Sequence, residues 1–380
     1  MYATKDEQTS PAPHYARPRA GTFDPLLGVY NWKASNTTKL RNAVAKARRG
    51  GLGWLMFVGD SEMAGVGAAA NEAMPATLTE MLESSGVPVP ADDFIPAHPG
   101  PVPDQRWEFS GGWTRAWGWR SWTAIGATAT LTTSKPCEVL RVIYGQGSGS
   151  FTVTIDGNTP HPSTITPPAG TELDATMWTS LPKTVHTITF TSTSESGKLF
   201  GVVCENGTSN NLGTQSGLKV SNLGVSGTTT ANWLSPAQNL HLMPLYAAYG
   251  QKVDAAFVKL GVNDLTSESP ALTTAQFKAN MTALRSTRST WKTSDFVILS
   301  SLQPTQPAGA TTTAMWETYV NAMYDLADSL DVPLIDLHWI VYGPAPSAIA
   351  NGLTNGDGTP HPSALGYYRE AEVLARLLGA

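Results

Sequence analysis

Five short apolar runs, spaced along the chain and separated by segments of helical periodicity, constrain the fold more than any other feature of the sequence. They are WLMFVG (54–59), KVSNLG (219–224), AAFVKLG (255–261), FVILSSL (296–302) and VPLIDL (332–337). Runs of this length without polar alternation need cover on both faces, which a parallel sheet held between two helical layers provides. The segments between them carry matching signals. Asn36 is a candidate N-cap for a helix over TTKLRNAVAKARRGG, which ends in cations followed by Gly50 and Gly51. Further helices are expected at about 70–85, over Ser235–Tyr249, over 273–288, and over 311–329, where Met315, Tyr319, Met323 and Leu326 share a face. Ser363 caps a last helix whose expected apolar face is Leu365, Tyr368, Ala371, Leu374 and Leu378. The predicted α/β domain is open and doubly wound, with a five-stranded parallel sheet.

Between the first two runs, over 104–206, the texture changes to Thr, Ser, Gly and Trp in period-two alternation. Strands are expected at ATATLTT (127–133), EVLRVIYG (138–145), SFTVTIDG (150–157), TVHTITFTS (184–192) and KLFGVVCEN (198–206), joined by Gly-, Pro- and Ser-rich turns. The predicted organisation is a tail or linker over 1–22, a discontinuous α/β domain over 23–103 and 207–380, and an inserted, jelly-roll-like β-sandwich over 104–206. Antiparallel pairing of an early and a late strand would bring Cys137 and Cys204 within reach of each other; one bridge and two buried thiols are both open. Trp107, Trp113, Trp117, Trp119 and Trp122 place five of the twelve tryptophans at the entry to this region. Indole rings fill sandwich cores and domain seams, and they also stack on sugars, so Trp113, Trp117 and Trp119 are candidate substrate contacts.

Charge and hydropathy exclude several classes. Lys plus Arg (25) against Asp plus Glu (30) gives −5 over 380 residues, with no run of like charges, so a nucleic-acid footprint is not expected. Apolar stretches such as Trp54–Val58 fall far short of the roughly 20 residues that span a bilayer. The start, MYATKDEQTSPAPHYARPRAG, lacks the apolar centre of a secretion signal. Two cysteines and scattered histidines offer no metal-ligand spacing, and no cofactor or metal is expected.

The residues that carry chemistry sit after the apolar runs, where a parallel sheet exposes its strand ends to ligand. Gly59-Asp60-Ser61 follows WLMFV, GVSG with Gly227 follows KVSNL, GVND with Asn263 follows AAFVKL, and DGTPHPS places Asp357 and His361 before the last helix. A hydroxyl becomes a good nucleophile when a base takes its proton and an acid orients that base. Ser61, His361 and Asp357 supply those types. A second TPHPS, at Thr159–Ser163, follows a period-two strand with no helix after it, so His161 reads as a turn residue.

These four blocks, in this order, resemble the SGNH (GDSL-type) hydrolases, and the resemblance covers the α/β portion. It implies a flavodoxin-like fold and a serine ester hydrolase. Ser61 would attack the ester, His361 would act as base then acid, and Asp357 would orient the imidazole. The Ser61 amide, Gly227 amide and Asn263 side chain would hold the oxyanion. Activity would then rise as His361 loses its proton, near the unperturbed value of roughly 6.5. Here the acid precedes the histidine by 361 − 357 = 4 residues rather than the family's three, and the β insertion accounts for the 166 residues from Ser61 to Gly227. With the tryptophans, the resemblance points to removal of acetyl or other short acyl groups from a polysaccharide, and to an extracellular or virion-associated protein, as in actinobacteria and the tails of their phages. The alternative is a catalytically silent carbohydrate-binding or structural protein on the same scaffold. A Gly-x-Ser-x-Gly elbow and a dinucleotide G-x-G-x-x-G turn are both missing.

Overall fold

A computed structural model describes residues 21–97, 104–116, 118–170, 173–207, 216–234, 253–266, 271–287, 294–304, 313–343, 345–354 and 361–379. All five apolar runs form parallel strands: β3 (Leu52–Gly59), β15 (Gly217–Asn222), β16 (Ala255–Lys259), β17 (Asp295–Leu299) and β18 (Leu334–Ile335). They lie side by side as β15-β3-β16-β17-β18. In order of appearance that is 2-1-3-4-5, the flavodoxin-like arrangement, with its switch point between β3 and β16. Alternation along each strand supplies two cores. Trp54, Met56, Val58, Ala256, Val258, Phe296 and Ile298 face one layer, while Leu55, Phe57, Ala255, Phe257, Val297 and Leu299 face the other. Phe57 and Phe257 stack across the strand pair at 4.7 Å.

Among the described residues the sheet has seven strands rather than five. β1 (Phe23–Asp24) and β2 (Val29–Tyr30) form a hairpin whose second strand pairs antiparallel with β18. Two-residue strands carry no periodicity, so the sequence gives no signal for them.

Helices occupy Thr38–Arg48, Met74–Ser84, Thr274–Thr287, Thr313–Leu330 and Ala364–Leu378, and shorter ones occupy Ser61–Ala64, Thr230–Leu234, Val262–Thr266 and Ala345–Ala350. The helix expected over Ser235–Tyr249 lies outside the described residues. The first helix is entered through Thr37, not Asn36; Asn36 instead accepts from the Lys33 amide at 3.0 Å and donates to the Asn31 carbonyl at 2.9 Å. Met315 is exposed. In the last helix the expected face is rotated, with Leu365 and Tyr368 45% and 48% exposed. The buried stripe is Tyr367, Glu370, Ala371, Leu374, Ala375 and Leu378. A helical reading of apolar residues passes over this stripe because it contains a glutamate.

The antiparallel strands lie between β3 and β15 in the chain. One sheet is ordered β11 (Thr164–Ile165), β10 (Phe151–Ile155), β13 (Thr187–Ser192), β8 (Thr128–Thr132) and β5 (Trp107–Ser110). The other is ordered β12 (Leu173–Trp178), β9 (Val139–Gly145), β14 (Gly197–Glu205), β7 (Trp119–Trp122) and β6 (Trp113–Ala116). All five expected strands are present, and the tryptophan segment adds three more. β4 (Asp93–Pro96) also pairs with β14, so antiparallel structure begins before the expected boundary at 104. The two sheets share a core that includes Leu131, Val142, Phe151, Phe190 and Val202. Cys137 and Cys204 sit in this core as free thiols, and burial and the neighbouring Cys137 thiol push Cys204 up.

The outer face of the second sheet is buried as well. Ile143, Phe200 and Val203 join the α/β cluster of Trp54, Leu223 and Trp233. Beside them Lys219 of β15 pairs with Asp93 at 3.0 Å and Glu205 at 2.6 Å, and Glu205 pairs with Arg141 at 2.9 Å. Lys219 also lies 4.5 Å from the centre of the Trp54 ring. Burial disfavours the ammonium, yet the Asp93 and Glu205 carboxylates hold its pKa above the usual lysine value.

Candidate active site

Three strand ends and one loop converge at the C-terminal edge of the parallel sheet. At the end of β3, Asp60 caps the short helix Ser61–Ala64 by accepting from the Glu62 amide at 3.0 Å, which makes Ser61 the first helical residue. Gly65 ends that helix in the left-handed region at φ 87°. His361 lies 300 residues further on, and its Nε2 is 2.9 Å from Ser61 Oγ. The histidine loop is fixed from below. Pro362 bridges to Thr354, the Ser363 hydroxyl donates to the Gly352 carbonyl at 2.7 Å, and Ser363 caps the last helix as expected by accepting from the Gly366 amide at 3.2 Å.

The loop after β15 is tied to β3 by the Val225 amide, which donates to the Gly59 carbonyl at 3.0 Å. Within it Gly227 takes φ +80°, a conformation a side chain would strain. Gly224 has a steric role the sequence did not suggest: a Cβ there would lie 2.3 Å from the Ala64 amide nitrogen, so the bare backbone lets this loop pack against the Ser61 helix. After β16, Asn263 Nδ2 donates to the Thr228 carbonyl at 3.1 Å. Asp264 accepts from the Thr230 amide and hydroxyl and so clamps the other end of the same loop. The structure thus brings Ser61 and His361 into contact and places Asn263 beside the Gly227 loop. Asp357 lies outside the described residues.

The candidate sugar contacts have other neighbours. Trp113 packs edge-on against Phe109 and Trp122 at 5.2 and 5.4 Å, and Trp119 packs on Phe200 at 5.3 Å with Lys198 5.2 Å from its ring centre. Trp117 lies outside the described residues. His161 is exposed in the antiparallel region. Asp156 pairs instead with the buried His186, at 2.7 Å, whose Nε2 faces the Cys137 and Pro182 carbonyls at 3.0 Å. Among the described residues no group of three His, Cys, Asp or Glu side chains could hold a metal, and no helix is long and apolar enough to cross a membrane.

Beneath Ser61 is a set of buried charges that motif spacing does not reveal: Asp60, Glu62, Lys259 and Glu370. Burial, then the neighbouring Glu62, raises the Asp60 carboxyl well above the usual range. A raised carboxyl contributes stability that is complete below the ordinary aspartate value of about 3.9 and is lost as pH rises through the folded-state value. Asp60→Asn keeps the capping oxygen and removes the charge. Its melting temperature relative to wild type is expected to be higher at pH 8 than at pH 5; an equal difference at both pH values contradicts the assignment.

Residues 200–369 match the family model of the GDSL-like lipases and acylhydrolases. Among solved structures, one described as a peptidoglycan O-acetylesterase in action is similar at 20% identity and a TM-score of 0.63, over 92% of this chain and 97% of that chain. A two-domain esterase active on acetylated mannans overlaps at 10% identity and a TM-score of 0.44, over 94% of this chain and 57% of that chain. A Corynascus thermopiles (Myceliophthora fergusii) carbohydrate esterase of family 2 overlaps at 15% identity and a TM-score of 0.30, over 72% and 98%. No curated protein matches the sequence. Residues 200–369 are thus similar to the GDSL-like lipases and acylhydrolases, and the fold is shared with the peptidoglycan O-acetylesterase.

Proposed function

We propose that the protein removes acetyl or other short acyl groups from a polysaccharide through an acyl-enzyme on Ser61. The observation that carries this reading is the 2.9 Å contact between Ser61 Oγ and His361 Nε2. As Oγ bonds to the ester carbonyl carbon, its proton passes to Nε2. The carbonyl oxygen becomes an oxyanion held by the Ser61 and Gly227 amides and the Asn263 side chain. Collapse breaks the bond to the alcohol, which leaves with the proton from Nε2. Water then gives a proton to Nε2 and attacks the acyl carbon, and Ser61 departs with that proton as the acid is released. Nε2 accepts in the first step, so Nδ1 carries the hydrogen, and Asp357 is the group proposed to receive it.

The glycan part of the reading is supported by a similarity in fold that runs through the antiparallel region as well as the α/β portion. We assign that region, from Asp93 to Glu205, as an inserted β-sandwich that shapes the substrate side of the cleft. Incubation with acetylated xylan, mannan and peptidoglycan tests the function. Acetate release from at least one by wild type, and from none by Ser61→Ala, is expected; release from simple aryl esters alone would refute the polysaccharide assignment.

A further inference from the structure

The Ser61–His361 contact joins two segments that are remote in sequence, and a buried ionic chain joins the same two segments a second time. Glu62, next to Ser61, pairs through Oε2 with Lys259 Nζ at 2.8 Å, and Lys259 Nζ pairs with Glu370 Oε1 at 2.5 Å. Glu370 lies on the helix that begins just after His361. It also accepts from the Tyr342 hydroxyl at 2.6 Å. One turn earlier on that helix, the Tyr367 hydroxyl donates to the Val66 carbonyl at 2.7 Å, beyond the end of the Ser61 helix. Lys259 is the last residue of β16 and pairs in register with Gly59.

We propose that Glu62, Lys259 and Glu370, with Tyr367, are positioning residues that set the distance between Ser61 and His361. This rests on the reading of those two residues as nucleophile and base. The three charges are no more than 1% exposed. Buried ion pairs add little net stability against apolar groups of the same volume. What they provide is direction: short charge-assisted bonds fix one separation, whereas packed methyl groups tolerate sliding. Two carboxylates share one ammonium, and burial, opposed by Lys259, leaves Glu370 above its usual value, consistent with a cluster holding a surplus of acid. The ring closes through Ser61, Glu62, Lys259, Glu370, the last helix and His361. Loosening one link transmits a shift to the reacting atoms, and a misplacement of about 1 Å costs on the order of a hundredfold in rate.

Glu370→Leu tests the link while leaving Glu62 and Lys259 as a balanced pair. With 4-nitrophenyl acetate, kcat is expected to fall about 10- to 100-fold with KM within about twofold, and Glu370→Gln, which can still accept from Lys259 and Tyr342, is expected to stay within about threefold of wild type. Tyr367→Phe deletes one hydroxyl and keeps the ring, so it remains informative if the leucine variant does not fold; a kcat loss of about 3- to 10-fold is expected. Wild-type kcat in Tyr367→Phe and in folded Glu370→Leu, or equal losses in the Leu and Gln variants, overturns the proposal. If instead Ser61→Ala retains activity, the reading of the site itself is what fails.

Discussion

Replacing His361 by Ala is expected to lower kcat for 4-nitrophenyl acetate by about 10⁴- to 10⁶-fold, and adding Ser61→Ala is expected to cost almost nothing more. Both follow from the geometry. At 2.9 Å the imidazole and hydroxyl form one unit. Without the base, Oγ keeps its proton and is a poor nucleophile; without Oγ, the base has nothing to activate. The residual rate should come from binding and the oxyanion donors, which neither substitution touches. Full kinetic analysis of the two single variants and the double variant checks this. Additive losses, or a drop below tenfold in His361→Ala, would contradict a shared role.

Lys219→Met is expected to destabilise the fold by about 3–5 kcal/mol, measured by urea unfolding at pH 7. The ammonium is paired with the buried carboxylates of Asp93 and Glu205. Removing it leaves two buried carboxylates there, of which Glu205 still pairs with Arg141. Methionine fills the volume, so the loss reports charge rather than a cavity. Because Asp93 and Glu205 belong to β4 and β14 while Lys219 belongs to β15, the loss also measures how firmly the antiparallel sheets are docked. A change under about 1 kcal/mol would show that the seam is held by its apolar contacts alone.

The parallel sheet and the Ser61 and Asn263 positions were legible from unbroken apolar runs with polar residues soon after them, and His361 from its place just before the last helix. The hairpin of β1 and β2 was not legible, since two residues form no pattern. Neither was the rotation of the last helix. Its apolar residues fit two overlapping stripes, and the one containing Glu370 wins because Lys259, more than a hundred residues earlier, compensates the charge. The same long-range pairing hides Glu62 and Lys259 from any reading that treats charges as surface groups. Gly224 was hidden for another reason: the atom that requires it belongs to Ala64, and only three dimensions bring the two together.

The order in which the chain is made gives the Ser61–His361 contact a temporal meaning. At ~5–20 residues per second, about 15 to 60 s separate the synthesis of the serine from that of the histidine. β3 meets its neighbours β15 and β16 only after the whole antiparallel portion has been translated. With Ser61 and His361 in the proposed roles, a nascent protein built this way has no complete nucleophile–base pair until synthesis has passed His361.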